Sequence, residues 1–265
     1  RLRNFLTSRK LYGMQYLLAS LFGAITPFCS CSSIPLFIGF VKGGIPLGVT
    51  FSFLITSPLV NEVAVAMFAG TFGWKVTMVY VVSGICLGMI GGYVLGKMKL
   101  EKHLSPWVQQ MLQMNNIPQE EMEASQSSLI GRLPQIAKEA LGIVRGVLLY
   151  VIIGIGIGAA IHGYVPSGFF EAYLSGEHWY AVPLAVVLAV PMYANAAGIV
   201  PVVQVFVAKG VALGTALAFM MSVVGLSLPE ATMLKKVMNM KLIGIFFGTI
   251  ALFIILLGWL FNMVL

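Results

Sequence analysis

The sequence predicts an all-α, polytopic membrane protein built of two inverted repeats with re-entrant or broken helices. Three observations carry this expectation. The 265 residues are 59% hydrophobic and only 9% charged, whereas a soluble domain carries about 25% charged residues. Several apolar stretches are interrupted by short polar, proline-bearing breaks. The two halves of the chain also match at one constant offset.

The first unit spans residues 1–97. Arg1–Lys10 carries four basic residues and reads as a membrane-surface segment. Leu11–Thr26 is apolar, about 24 Å long if helical, which is short of the ~30 Å hydrocarbon core. Next comes Cys29-Ser30-Cys31-Ser32-Ser33, then an arm from Pro35 to Val41 and a turn at Lys42-Gly43-Gly44. Pro46–Thr71 is apolar, broken at Thr56-Ser57-Pro58, and holds Asn61-Glu62. Val76–Gly96 is a clean span. Its glycines at 84, 88, 92 and 96 make a smooth ridge for close helix packing.

Residues 98–139 form the only sizeable polar stretch and read as a solvent-side linker. The second unit, 140–265, opens with a span at Ala140–His162. Gly163–Trp179 is a short interfacial segment, with Trp179 and Tyr180 suited to the headgroup belt. A second break, Pro191–Gly198, contains Asn195 and no cysteine. An arm from Pro201 to Ala208 and a Lys209-Gly210 turn follow. Ala212–Met238 is broken at Gly225–Glu230, and Leu242–Leu265 is the last span.

Pro35 pairs with Pro201, Phe40 with Phe206, Gly44 with Gly210, Gly48 with Gly214 and Phe53 with Phe219, all 166 residues apart. With a two-residue shift, Glu62 meets Glu230. The second unit has a leading span and the first has none, so the repeat predicts a membrane helix before Arg1. If each Cys/Ser-type break is the tip of a hairpin returning to its own face, each unit crosses three times and the units are inverted. Fourteen of the sixteen Lys and Arg then share one face, leaving Lys75 and Lys209 opposite. Fully crossing elements would split the charges about evenly, which the positive-inside rule disfavours. The expected location is the cytoplasmic membrane.

The breaks carry the chemistry. Unpaired backbone groups are tolerated at membrane depth only where protein or a water-filled cavity surrounds them. In transporters such breaks mark the substrate site. Helix N-termini aimed at the membrane middle favour an anionic or polar ligand. Ser30, Ser32, Ser33, Thr56, Ser57, Asn61, Asn195, Ser222 and Ser227 supply neutral hydrogen-bonding groups there. The bland alternative is that these residues only cap helices, and Ser227-x-x-Glu230 is a capping-box pattern. Glu62 and Glu230 lie in apolar surroundings, where an ionisable side chain is costly and points to function. A carboxyl in low dielectric favours its neutral form and so can carry a proton. The alternative is a structural Glu bonding local backbone N–H groups. Cys29 and Cys31 are soft ligands; as small buried residues they would simply pack.

Other classes find little support. The net charge of +7 fits basic loops at a membrane face better than nucleic-acid binding. Gly91–Lys97 approaches a phosphate-binding loop, but Met98 stands where Ser or Thr is needed. No catalytic triad, nucleotide motif or zinc spacing appears, so neither an enzyme nor a cofactor is expected. The expected partners are the lipid bilayer and a small-molecule substrate, a soft metalloid or an anion; a homo-oligomer is compatible with the sequence.

The stretches Thr26–Pro35, Lys42–Gly48, Ser57-Pro-Leu-Val-Asn-Glu62 and Leu226-Ser-Leu-Pro-Glu230 resemble the DUF318 family of predicted permeases, which includes the ArsP-type organoarsenical efflux permeases. The resemblance implies a membrane permease. Its ArsP-type members imply export of trivalent organoarsenicals such as methylarsenite, with Cys29 and Cys31 as the metalloid contacts. The alternatives are a channel or uniporter for a small anion, a non-transporting membrane scaffold, and an intramembrane redox relay using the cysteine pair.

Overall fold

In a computed structural model of the chain, residues 13–26, 30–98, 100–106, 108–109, 141, 152, 179–192, 194, 196–235 and 237–264 are described. Nearly all of the expected span 140–162, and all but Trp179 of the segment 163–179, lie outside them. The described residues are helical. The first half holds α1 (Met14–Ile25), α2 (Ser30–Lys42), α3 (Leu47–Leu59), α4 (Glu62–Thr71) and α5 (Gly73–Lys97), followed by a 3₁₀ turn at Leu100–His103. The second half holds α6 (Ala181–Ala189), α7 (Ala196–Ala208), α8 (Leu213–Gly225), α9 (Leu228–Leu234) and α10 (Met240–Val264). Three stretches are long and apolar enough to cross a membrane: α5, α8 with α9, and α10. The pair α3 and α4, bent by 43°, makes a fourth when counted as one span. Helix suits this setting because lipid offers backbone groups no partner.

The helix bounds recur along the chain. Ser30–Lys42 and Ala196–Ala208 lie 166 residues apart at both ends, and so do Leu47–Leu59 and Leu213–Gly225. The tight turns recur too. Gly44 and Gly210 both adopt left-handed backbone, φ 75° and 88°, which glycine takes without steric cost. Packing follows the same rule. α1, α3 and α5 pack on one another, as do α6, α8 and α10. A Cβ added at Gly48 would stand 2.8 Å from the Cα of Gly96 and 2.9 Å from the carbonyl of Gly92. One added at Gly214 would stand 2.5 Å from the carbonyl of Gly258 and 2.6 Å from the nitrogen of Asn262. The glycine ridge read from the sequence is therefore the seat of α3 on α5, and α8 sits on α10 in the same way.

The halves meet reciprocally. α2 packs against α9, and α7 against α4. α3 touches α8, and α5 touches α10. Direction follows from the chain ends. The 3₁₀ turn after α5 lies beside the start of α10, since Asn239 N donates to the His103 carbonyl at 2.9 Å and Leu104 bridges to Met238. One end of the bundle thus holds the end of α5 and the start of α10; we call it the linker end. The other, the far end, holds Gly73, Trp179 and Lys209.

Two helix pairs return to the end they leave. α1 starts at the linker end, where the Tyr16 and Tyr93 rings meet edge to face at 5.7 Å. Its other end sits deep, with Gly23 against the backbone of Phe53 and Ser57. α2 then runs back to Lys42. α6 starts at the far end, where the Trp259 indole donates to the Trp179 carbonyl at 3.0 Å. α7 runs back to Lys209.

The breaks are narrower than the sequence suggested. Helix continues through Thr56-Ser57-Pro58 and stops at Val60-Asn61; α2 is already helical at Ser30, with Pro35 inside it, and α7 at Ala196, ahead of Pro201. Pro35 and Pro201 are each the sixth residue of their helix, past the four N–H groups that lack helical partners, so each ring removes one i→i−4 hydrogen bond. Where α3 stops, the Tyr80 phenol donates to the Leu59 carbonyl, one of the acceptors the break leaves open. Phe246 occupies the corresponding place in the second half. Tyr80→Phe is expected to destabilise the folded protein by about 1–3 kcal/mol through that carbonyl, read as a lowered unfolding midpoint in detergent.

Candidate functional site

The deep ends of α1 and α2, the α3–α4 break, the deep ends of α6 and α7, and the α8–α9 break gather around one contact. A Cβ added at Gly225 would stand 3.0 Å from Leu59 Cδ2, so the C-terminal ends of α3 and α8 abut. Each half-helix ends there because the chain needs a non-helical residue at Val60 and at Leu226. The residue after each break is an N-cap in extended backbone, Asn61 and Ser227, again 166 residues apart.

Ser33 on α2 and Ser57 on α3 are both buried, and their hydroxyls pair at 2.9 Å. This ties the hairpin tip to the break. Asn61 caps α4, its side chain accepting from Val63 N at 2.8 Å. Ser227 makes no side-chain cap, so its half of the expected capping box is not formed. The hydroxyls of Ser222 and Ser227 are fully buried and have no hydrogen-bond partner among the described residues. Ser222, among the polar groups read from the sequence, is the repeat mate of Thr56. The Leu228 N–H donates to the Val190 carbonyl at 3.1 Å, tying the α6 hairpin to the α8–α9 break as Ser33–Ser57 does in the first half.

The two glutamates are not twins. The caps align without a shift, so Glu62 corresponds to Leu228 and Glu230 to Ala64. Glu62 and Leu228 are exposed, whereas Ala64 and Glu230 are buried, Glu230 to 2% exposure. The two-residue shift that would pair the carboxylates is ruled out because side chains two apart on a helix point some 200° apart. Glu230 is thus the one buried carboxyl among the described residues.

Ser32 is exposed on α2, and Ser30 opens that helix. Cys31 lies in the first turn of α2. Cys29 and Asn195 lie outside the described residues. Cys86 on α5 is half-buried. No cluster of three or more His, Cys, Asp or Glu suited to a metal occurs among the described residues. A separate groove of about 330 Å³ opens between α1, α2 and α3. Its walls, including Leu21, Phe22, Ile25, Phe40 and Phe53, suit hydrocarbon rather than a polar solute.

Two relatives are similar to the chain. The UPF0718 protein MJ0584 of Methanocaldococcus jannaschii is 20% identical, with 95% of this chain and 83% of that protein aligned. The UPF0718 protein YraQ of Escherichia coli K12 is 21% identical across 85% of this chain, which spans only 61% of YraQ. No solved structure matches. A model of the ArsP_1 family, described as predicted permease, matches residues 2–263. With that match over nearly the whole chain and apolar helices long enough to cross a bilayer, this chain belongs to the ArsP_1 family of predicted permeases.

Proposed function

We propose that the chain carries a small solute across the cytoplasmic membrane by alternating access through the buried centre between two inverted halves. The observation that carries this is the paired geometry of the breaks. α5 and α10 are repeat mates, yet the end of one lies beside the start of the other. One hairpin enters from the linker end and its mate from the far end. Inverted halves of this kind can exchange one set of contacts for its mirror set, which opens the centre to each face in turn. Lys42, Lys97, Lys235 and Lys241 lie at the linker end, Lys75 and Lys209 at the far end. The positive-inside rule then favours a cytoplasmic linker end.

The leading substrate is a trivalent organoarsenical moved outward. Cys29 and Cys31 fall at the tip of the first hairpin, and thiolates are the ligands such a soft centre prefers. On one continuous helix these two side chains would diverge, so joint binding requires Cys29 to leave the helix that begins at Ser30. The hydroxyls of Ser222 and Ser227 supply polar lining, and Glu230 supplies the group for ion coupling. Everted vesicles test this. Methylarsenite accumulation is expected to fall at least ~10-fold, about 1.4 kcal/mol, in both Cys29→Ser and Cys31→Ser.

A small anion is the second reading, favoured by the N-termini of α2, α4 and α7 at the centre. A helix N-terminus carries about half a positive charge. Unchanged transport in both serine variants, with salt-sensitive anion flux, would select it over the arsenical. A fully packed centre with no flux of any solute would leave a membrane scaffold.

A further inference from the structure

Resting on the membrane-crossing reading above, we infer that Glu62 is a proton or monovalent-cation loading site reached by water from the far end alone. The argument begins with depth. Tyr80 bonds the Leu59 carbonyl, and Val60 packs over Gly84. Gly84 lies eleven residues into the 25-residue helix α5, roughly 16 Å from its far end and 20 Å from its linker end at 1.5 Å per residue. Glu62 therefore sits near the middle of the bilayer.

It is nevertheless exposed, on an open face of α4 that also holds Val63, Ala66, Gly70 and Thr71. The surfaces of α5 and α10 that meet lipid look different. They present Trp74, Met78 and Val82, and Leu252, Leu256 and Leu260. A face of one carboxylate, a single valine and small residues fills a lipid-facing surface poorly and would put a charge in hydrocarbon, where it is costly. Water against this face removes both objections. The face runs from mid-depth to the far end, since α4 leads to the Gly73 turn, so the water enters from that side.

The repeat makes the site one-sided. The mate of Glu62 is Leu228, equally placed on α9 and 42% exposed. The linker side thus carries an apolar side chain where the far side carries the carboxylate. Glu230 does not fill the role, because it points into the core. A group that binds a cation on the far face and is absent from the near face suits uptake of the coupling ion from outside the cell.

Accessibility tests this independently of any substrate. A charged, membrane-impermeant methanethiosulfonate is applied to right-side-out vesicles holding Ala66→Cys or Met78→Cys, each against the parent cysteine background. Met78 lies at similar depth on the lipid side of α5. Ala66→Cys is expected to label at least ~10-fold faster than Met78→Cys, and Glu62→Gln to leave that labelling intact while flattening the dependence of transport on external pH. Equal, slow labelling at both positions would put α4 against lipid and overturn the inference. So would an intermolecular disulfide at position 66, which would put a second copy there. Fast labelling with no transport of methylarsenite would leave the water path standing and remove only the substrate assignment.

Discussion

Glu230→Gln is expected to remove gradient-driven transport, lowering it at least ~10-fold, about 1.4 kcal/mol, while the protein still folds. The substitution keeps the shape of the side chain and its capacity to accept a hydrogen bond, and removes only the group that takes and releases a proton. Glu230 is buried at 2% exposure, one turn into α9. α9 packs against α2, the arm that starts at the Cys/Ser tip. A proton on Glu230 thus changes charge where the second half touches the first hairpin. The measurement is solute accumulation in vesicles with an imposed pH gradient, alongside gradient-free exchange. Coupling predicts that accumulation is lost and exchange survives. Loss of both, with a lowered unfolding midpoint, would make Glu230 a structural residue. Accumulation within about twofold of the parent would leave coupling to another group.

The largest expected effect on stability is at Gly48. A leucine there would drive its Cβ to 2.8 Å from Gly96 Cα and 2.9 Å from the Gly92 carbonyl. Both are backbone, so neither can swing aside. Overpacking of this kind costs about 1–3 kcal/mol and sometimes more, and the upper end applies because a whole helix must shift. Gly48→Leu and Gly214→Leu are each expected to yield little folded protein in detergent. Gly39→Leu is the control, since nothing lies within 4 Å of its missing Cβ; its effect should stay within about 0.5 kcal/mol. Equal yields for all three would mean that the helix seats are not tight.

Much of this architecture was legible in the residues. Charge scarcity in a 59% hydrophobic chain leaves a membrane as the only solvent that suits it. The repeat was visible because Pro35/Pro201, Gly44/Gly210 and Gly48/Gly214 each answer a backbone demand: a ring tolerated near a helix start, a left-handed turn, a close crossing. Such demands restrict residue type, so they leave a mark in sequence.

The register of the breaks was not legible. Pro58 suggested an interruption at Thr56–Pro58, yet α3 runs on to Leu59, because tertiary contacts, Tyr80 among them, settle where the open carbonyls find partners. The relation between the two glutamates was hidden for the same reason. Two Glu near two breaks look like twins until the caps at Asn61 and Ser227 fix the phase of α4 and α9. By itself the sequence determined the solvent and the neighbourhoods in which helices interrupt. Only the tertiary structure decided which way each interrupted helix faces, and so buried Glu230 while leaving Glu62 open. A residue's burial depends on rotation about a helix axis, which is set by packing between helices rather than by any residue alone.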